Sequence, residues 1–245
     1  MHAHDAIQPD YAGDSKRARV EAMFDRIARR YDTLNRIISL GLDRGWRRAL
    51  VREVASRAPG GRMLDVATGT GDLAFALSRA GAREVVGADI SDGMLDVARR
   101  KAEHGKSPGA IRFERADAAQ LPFQDRDFDA VTVAFGVRNF EDLGAGLREL
   151  ARVLKPGGTL AVLELGKPRN GFLRVGHAFY TRGILPLVAG LVSGERAAYT
   201  YLPASVQAFP DPQRFGEVLG DAGLSDVKTR SFAFGAAHLH LARRA

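Results

Sequence analysis

The chain has 245 residues, of which 45% are hydrophobic and 27% charged, a composition typical of a globular domain with a substantial core. It contains no cysteine, which excludes disulfides, thiolate metal sites and cysteine nucleophiles. Its net charge of +7 makes nucleic acid or an anionic lipid surface partners to be considered.

The first part of the chain is a polar tail followed by basic helices. Residues 1–15 have no hydrophobic period, which predicts a disordered tail, and helical spacing of apolar residues starts at Val20. Residues 16–53 hold eleven Arg or Lys and five Asp or Glu, an excess of +6. This excess fits an anionic lipid surface, nucleic acid or a solvated helix face equally well.

A strand that runs into a glycine loop, residues 62–72, is the first candidate site. Glycines at a strand-to-helix turn let a ligand approach the backbone, and the helix N-terminus presents free N–H groups. Gly69, Gly71 and Ala74 satisfy the loose dinucleotide pattern. Asp65, four residues before Gly69, would repel a pyrophosphate but would favour the sulfonium and ammonium groups of S-adenosylmethionine (SAM). The loop therefore favours SAM over NAD.

Strands and helices alternate through the middle of the chain. Strands are predicted at 62–67, 84–89, 110–115, 128–134 and 159–165, and helices near 71–80, 92–104 and 142–154. The second strand ends in Asp89, where a carboxylate could accept hydrogen bonds from both ribose hydroxyls. The alternation predicts an α/β, Rossmann-like fold with a mostly parallel sheet and helices on both faces.

The last third of the chain is less regular. The alternation lapses over residues 168–210, and its longest apolar stretch, 183–194, contains Pro186 and Gly190 and is too short to span a membrane. A helix near 212–222 precedes two runs, 227–234 and 236–242, that predict an antiparallel hairpin through Gly235.

Several blocks of sequence resemble one methyltransferase family. The blocks are residues 31–46 (from Tyr31-Asp32 to Trp46), 121–123 (Leu-Pro-Phe), 135–139 (Phe-Gly-Val-Arg-Asn) and 152–168 (with Lys-Pro-Gly-Gly at 155–158). From residue 16 to the end, the chain resembles the UbiE/MenG family of quinone-biosynthesis C-methyltransferases. The resemblance implies a class I SAM-dependent methyltransferase fold, with seven strands and an antiparallel C-terminal strand.

The resemblance also implies an organisation and a location. We expect a single methyltransferase domain over residues 16–245, with an N-terminal helical lid (16–58) and an acceptor-side insert (168–210). Since no secretory signal or membrane span is present, we expect a cytoplasmic enzyme with peripheral contact to an anionic membrane. The oligomeric state stays open, with a homodimer as one alternative.

The implied cofactor residues surround the glycine loop. By family position Thr70 and Asp89 contact SAM, and Asp117 with Ala118 match the adenine side. Gly69 and Gly71 allow close approach, and Asp65 is a candidate for the methionine amino group. A turn acid at Asp117 or a helix-capping acid at Asp89 would have the same sequence.

The implied reaction is methyl transfer to a ring carbon of a polyprenylated quinol, such as demethylmenaquinol. Arg138 and Asn139 follow the fourth strand, at the edge where such sheets bind ligands. We assign electrostatic stabilisation of a phenolate to Arg138 and a hydrogen bond to the ring hydroxyl to Asn139. Alternatively, Arg138 pairs with Glu141 or Asp142 as scaffold. The remaining residues predicted for the lid or acceptor pocket are Tyr31, Asp32, Asn35, Tyr199 and Tyr201.

The sequence bears on other functions as well. Amino-methylating nucleic-acid enzymes place an Asn/Asp-Pro-Pro-aromatic motif after the fourth strand, and this chain does not, so no nucleic-acid partner is expected. Another aromatic or lipid acceptor, or a non-catalytic SAM-binding module, stays open. No His, Asp or Glu cluster has metal-ligand spacing, so no metal is predicted.

Overall fold

The computed structural model describes residues 15–105, 110–167 and 196–245. The predicted tail therefore lies almost wholly outside the described residues. The same holds for residues 168–195 of the predicted insert, which include His177 and the apolar stretch 183–194.

Three helices form the N-terminal part of the structure: α1 (Lys16–Ile27), α2 (Tyr31–Ile38) and α3 (Asp43–Arg57), with a 3₁₀ turn at Ala28–Arg30. The Ser15 side chain caps α1 by accepting a hydrogen bond from the Ala18 amide. The apolar residues at helical spacing that start at Val20 are divided between α1 and α2 by the turn at 28–30, and Val20, Met23, Ile27 and Leu34 among them are buried.

Seven strands form one sheet in the order β3-β2-β1-β4-β5-β7-β6, and β7 runs antiparallel to its neighbours β5 and β6. The strands are β1 (Arg62–Val66), β2 (Glu84–Asp89), β3 (Ala110–Arg115), β4 (Phe128–Ala134), β5 (Leu154–Leu165), β6 (Leu224–Phe232) and β7 (Ala237–Arg244). The predicted fold class is thus confirmed, including the antiparallel last strand.

Helices pack on both faces of the sheet. The remaining helices are α4 (Asp72–Arg79), α5 (Asp92–His104), α6 (Leu143–Val153), α7 (Arg196–Ala208) and α8 (Pro212–Asp221). Successive strand residues point to opposite faces, so Leu64 packs in one core cluster with Leu150 of α6 and Phe215 of α8. Met63 packs in the other with Leu50 of α3.

Two strands begin earlier than their sequence predicts. Strand β5 starts at Leu154, which pairs with Phe128, although the following Lys-Pro-Gly-Gly has the composition of a turn. Strand β6 starts at Leu224, which pairs with Arg244. In both cases pairing with a distant strand extends the element beyond its local pattern.

Within the described ranges, the longest helix is α3 with 15 residues, and none has the length and hydropathy of a bilayer-spanning helix. The fold places the carboxyl ends of β1, β2 and β4 side by side, because these strands pair in parallel. Helices α1 and α2 lie over that edge.

Candidate active site

A cavity opens at the carboxyl ends of β1, β2 and β4, and we name it the donor cavity. Its sheet-side lining includes Val66, Ala67, Gly69, Asp89, Asp117, Ala118 and Asn139, and its helix-side lining includes Val20, Phe24 and Tyr31. Two non-glycine residues in the wall, Ala67 (φ 52°) and Phe135 (φ 61°), adopt left-handed backbone conformations directly after their strands. Such strain is concentrated at functional sites.

Asp89 connects the glycine loop to the end of β2. Its Oδ2 accepts a hydrogen bond from the Gly69 amide at 2.7 Å, and its Oδ1 accepts one from the Ser91 amide at 3.0 Å. Burial raises the pKa of Asp89, while these backbone hydrogen bonds lower it. Each carboxylate oxygen keeps acceptor capacity for a further donor. The site therefore fits a ribose diol.

Asp65 lies beneath the glycine loop and is only 1% exposed. Its two oxygens accept hydrogen bonds from the hydroxyls of Thr68 and Thr132, each at 2.7 Å. Burial raises the pKa of the Asp65 carboxyl to about 6, and the two hydroxyl hydrogen bonds lower it. An interaction with a methionine amino group would thus act through the loop, since Asp65 is buried and is not part of the donor cavity lining.

The other predicted loop residues face away from Asp89. The buried Thr70 hydroxyl donates to Asp32 of α2 and accepts a hydrogen bond from Lys101 of α5 at 3.1 Å. Gly71 (φ 84°) begins α4, and a Cβ there would come within 2.9 Å of Phe75 and Phe113. Thr70 thus ties α2 to the loop, and Gly71 is required for packing.

Asp117 and Ala118 both line the donor cavity, as their predicted contact with adenine requires. Asp117 also forms a turn, because its Oδ1 accepts a hydrogen bond from the Ala119 amide at 2.9 Å. Its other oxygen pairs with Arg17 of α1 at 2.9 Å. Asp117 therefore both forms the turn and lines the donor cavity.

The N-terminal helices are fastened to this side of the sheet by polar contacts. Asp25 Oδ1 accepts hydrogen bonds from the Ser91 hydroxyl (2.6 Å) and the Gly93 amide (2.9 Å). Glu21 pairs with Arg115. Together with the contacts of Arg17 and Asp32, these pairs join α1 and α2 to four segments that surround the donor cavity.

A second cavity, which we name the acceptor cavity, lies beside the first. Its lining is mostly apolar and comprises Met23, Phe24, Ile27, Tyr31, Leu34, Asn35, Ile38, Ser39, Asp43, Trp46, Arg47, Phe135, Arg138, Leu165, Tyr201 and Leu202. Phe24, Tyr31 and Phe135 line both cavities. A methyl donor in one cavity and an apolar acceptor in the other would therefore meet across three aromatic side chains.

Arg138 lies in the acceptor cavity and forms a buried ion pair. Its Nη1 donates to Glu164 Oε1 at 2.8 Å, and its backbone amide donates to Oε2 of the same carboxylate at 3.2 Å. The two side chains are 8% and 1% exposed. The alternative partners, Glu141 and Asp142, are not the ones used. Arg138 Nε is buried and has no hydrogen-bond partner among the described residues.

Asn139 is held on the opposite side of the same turn. Its Oδ1 accepts a hydrogen bond from the Tyr201 hydroxyl at 3.1 Å, and the residue lines the donor cavity. The Tyr201 side chain is 2% exposed and lines the acceptor cavity. Asn139 and Tyr201 therefore bridge the two cavities.

The structure brings most of the predicted acceptor residues together. Tyr31, Asn35 and Tyr201 line the acceptor cavity, whereas Asp32 binds Thr70. The Tyr199 side chain lies outside the described residues. Sequence reasoning assigned no role to Phe24, Phe135 or Glu164. The sequence contains one indication of a role for Glu164, because it is an acidic residue near the end of an otherwise apolar strand segment.

A metal ion has no evident place in the described ranges, where no cluster of three or more His, Asp or Glu could hold one. The side chains that line the donor cavity include carboxylates, which already accept hydrogen bonds from backbone amides, and aromatic rings. This set fits a nucleoside with a cationic sulfur better than a metal.

Comparison with known proteins identifies relatives over nearly the whole chain. The demethylmenaquinone methyltransferase of Deinococcus radiodurans is 50% identical over 219 residues, 89% of each chain. That of Thermus thermophilus is 49% identical, covering 91% of this chain and all of the relative. The ubiquinone/menaquinone biosynthesis C-methyltransferase UbiE of Geobacter sulfurreducens is 42% identical, covering 94% of this chain and 90% of the relative.

Solved structures share the fold at low sequence identity. A SAM-dependent methyltransferase of Thermotoga maritima, described as a possible histamine N-methyltransferase, aligns with a TM-score of 0.62 and 18% identity, over 92% of this chain and 99% of its own. Phosphoethanolamine N-methyltransferase 2 of Haemonchus contortus, solved with SAM, aligns at 0.58 and 17%, over 82% and 52% of the two chains.

The sequence matches to methyltransferases settle the choice between the two nucleoside cofactors in favour of SAM. The sequence model of the ubiE/COQ5 methyltransferase family matches residues 12–244. The resemblance predicted from the sequence is thereby confirmed, and the chain belongs to the ubiE/COQ5 methyltransferase family.

Proposed function

We propose that this chain is a SAM-dependent C-methyltransferase that converts demethylmenaquinol to menaquinol. The relatives in Deinococcus and Thermus are named for that reaction. The observation that carries the proposal is the pair of adjoining cavities, one bounded by Asp89 and the glycine loop, the other apolar with one buried arginine.

On the donor side, we infer that Asp89 accepts hydrogen bonds from the ribose hydroxyls and that Gly69 allows close approach. Asp117 and Ala118 bound the adenine end, and Asp65 adds negative potential beneath the loop. Thr70 and Gly71 act on the shape of the loop and its contact with α2. When bound, SAM supplies a methyl group on a sulfonium, which is a good leaving group.

On the acceptor side, we infer that Arg138 stabilises the phenolate that makes the ring carbon nucleophilic. Its Nη1 donates to Glu164 and to the Phe135 carbonyl, and the positive charge of the guanidinium, which lines the acceptor cavity, faces a substrate oxygen there. Because an arginine stays protonated throughout the neutral range, it acts by charge and hydrogen bonding and not as the base.

The remaining residues exclude water and position the ring. Phe24, Tyr31 and Phe135 form the shared wall, and Asn139 is within reach of a ring hydroxyl at the boundary. The ring carbon gains the methyl group and loses its proton to solvent, while S-adenosylhomocysteine leaves. Alignment of acceptor and donor is the main task of the protein in such a transfer.

A polyprenylated acceptor resides in membranes, so we also propose that the enzyme meets its substrate at an anionic membrane surface. The concentration of positive charge in residues 16–53 supports this location.

The test is methyl incorporation from labelled SAM into reduced demethylmenaquinone, with the demethylated ubiquinol precursor in a parallel reaction. We expect transfer to the naphthoquinol, with loss of transfer when the quinone is left oxidised. Transfer to neither quinol would refute the assignment. A preference for the benzoquinol would move the substrate to ubiquinone biosynthesis.

A further inference from the structure

We propose that the turn between α2 and α3, together with Phe234, is a membrane-docking surface that inserts Leu40, Leu42 and Phe234 into an anionic lipid bilayer and feeds the acceptor cavity directly. This inference rests on the proposed function for its purpose, but the surface itself is defined by exposure and charge.

The turn presents two leucines to solvent. Leu40 is 73% and Leu42 50% exposed. The turn is well ordered by hydrogen bonds: the Ser39 hydroxyl donates to Asp43 Oδ1 at 2.6 Å and accepts from the Gly41 amide at 3.2 Å. Leu40 also adopts a left-handed conformation (φ 52°), which is uncommon for a bulky side chain. The backbone is thus held in a shape that keeps both leucines out of the core.

A third apolar side chain lies at the same end of the molecule. Phe234 is 76% exposed, with φ 56° in the turn between β6 and β7. The turn is adjacent to the start of α3, because Phe232 packs on Trp46 with ring centroids 6.4 Å apart. Leu40, Leu42 and Phe234 are the large hydrophobic residues that the described structure exposes, and the two turns that carry them adjoin Trp46, since the Leu42 carbonyl accepts a hydrogen bond from the Trp46 amide and Phe232 packs on the Trp46 ring.

Positive side chains surround the leucine-bearing turn. A wide cavity beside it, which we name the arginine cavity, is lined by six cationic residues and three acids. The cations are Arg36, Arg44, Arg47, Arg48, Arg79 and Lys101. Across the described ranges, Arg36, Arg44 and Arg48 have no ion pair with a carboxylate. Exposed apolar side chains next to unpaired arginines are the combination by which proteins bind an anionic membrane interface.

The surface is continuous with the acceptor cavity. Ile38, Ser39, Asp43 and Trp46, which flank or support the turn, also line that cavity, whose far end holds Arg138. An apolar tail could therefore pass from the bilayer to the site of methyl transfer along apolar residues of α2 and α3.

Charge favours a bilayer over a second copy of this chain or a nucleic acid. A two-fold dimer through this surface would bring its arginines against the same arginines of the partner, which repel. Nucleic acid would satisfy the arginines but would leave two exposed leucines without an apolar environment. An anionic bilayer satisfies both groups.

The experiment is vesicle flotation of the full chain with phosphatidylglycerol–phosphatidylcholine vesicles, and with phosphatidylcholine alone. We expect binding only to the anionic vesicles, weakening as salt is raised. The variant L40S/L42S/F234S should bind at least about tenfold more weakly. The variant R36Q/R44Q/R48Q should bind about 100-fold more weakly at low salt.

The matched control for charge is R99Q/R214Q/K228Q. It removes three positive charges from outside the arginine cavity and should bind within about twofold of the unchanged protein. A short-chain quinol dispersed in detergent gives an activity readout that does not require docking, and we expect all these variants to retain it. If the unchanged protein does not methylate the short-chain quinol, that result counts against the proposed function, and the vesicle-binding result still stands.

Three outcomes would overturn the inference. The unchanged protein could remain with the soluble fraction when anionic vesicles float. The triple apolar variant could bind as well as the unchanged protein. Light scattering could show a dimer that the L40S/L42S/F234S variant converts to a monomer, which would assign the surface to a second copy.

Discussion

The donor and acceptor cavities share a wall, but they are lined by different kinds of structural element. The polar groups of the donor cavity come mainly from strand ends and the glycine loop, which hydrogen-bond to each other, as Gly69 does to Asp89, and residues of α1 and α2 cover them. The acceptor cavity is formed by side chains from α1, α2, α3, α7 and the ends of β4 and β5. One depends on backbone geometry and the other on the packing of distant segments.

The difference has a functional consequence. In the donor cavity, Asp89 has fixed backbone partners before any ligand binds, so its geometry is preorganised. In the acceptor cavity, the Arg138–Glu164 pair is the shorter and more deeply buried of two ion pairs, the other being Arg47–Asp43. Changes on the donor side should therefore affect binding of SAM, and changes on the acceptor side should affect turnover.

The largest expected effect is that of Arg138→Ala. Removal of the guanidinium should lower kcat by about 100- to 1,000-fold, the effect typical of losing a donor to a developing oxyanion. The dissociation constant of SAM should change by less than about threefold, because Arg138 lies outside the donor cavity. Single-turnover kinetics and calorimetric titration with SAM measure the two quantities.

The control for Arg138→Ala addresses the carboxylate it leaves unpaired. A buried unpaired Glu164 would destabilise the fold by about 3–5 kcal/mol. The double variant R138A/E164Q removes that charge, and it should fold with near-normal stability while turnover stays low. If SAM binding is lost and turnover at saturating SAM is normal, Arg138 belongs to the donor site and the comparison fails.

A smaller and opposite effect is expected for Asp89→Asn. Loss of a charged acceptor should raise the dissociation constant of SAM about tenfold or more, with kcat at saturating SAM nearly unchanged. Asp117→Asn is the matched control: its carboxylate pairs with a half-exposed Arg17, so we expect a change of about threefold or less. Equal effects of the two substitutions would contradict the assignment of the ribose to Asp89.

The last expected effect concerns stability, not binding or turnover, and is that of Asp65→Asn. The folded-state pKa of Asp65 is raised to about 6 from 3.8. Ionisation of this carboxyl therefore lowers the free energy of unfolding, and the cost is complete above that pH. The cost is absent below about pH 4, grows between pH 4 and 6, and is constant above. The variant should therefore gain up to about 3 kcal/mol in the free energy of unfolding at pH 8 and nothing at pH 4.

Urea denaturation without SAM, at several pH values, measures this difference. The buried His240 has its pKa lowered to about 4, so its protonation destabilises the fold as pH falls through the same range. That contribution is common to both proteins and cancels in the difference between them. A variant that is less stable at every pH would show that the Thr68 and Thr132 hydroxyls require two acceptor oxygens, which an amide does not offer.

Much of the fold was predictable because its signals are local. The period of apolar residues distinguishes strands from helices, and β2, β3 and β4 have their predicted bounds. The starts of β5 and β6 were wrong, since strand pairing with Phe128 and Arg244 overrides local composition. Helix α3 buries Trp46, Leu50 and Val54, which recur at the spacing of one helix face.

By itself, the sequence determined the donor side of this protein: the glycine loop, the acid at the end of β2 and the turn after β4 are each encoded within a few residues of one strand. Only the tertiary structure decided the partner of Arg138, the wall shared by the two cavities and the exposure of Leu40, Leu42 and Phe234. The physical reason is that burial and ion pairing depend on which distant segments pack together. Glu164 lies 26 residues from Arg138 along the chain, and Phe234 lies on a different turn from the leucines.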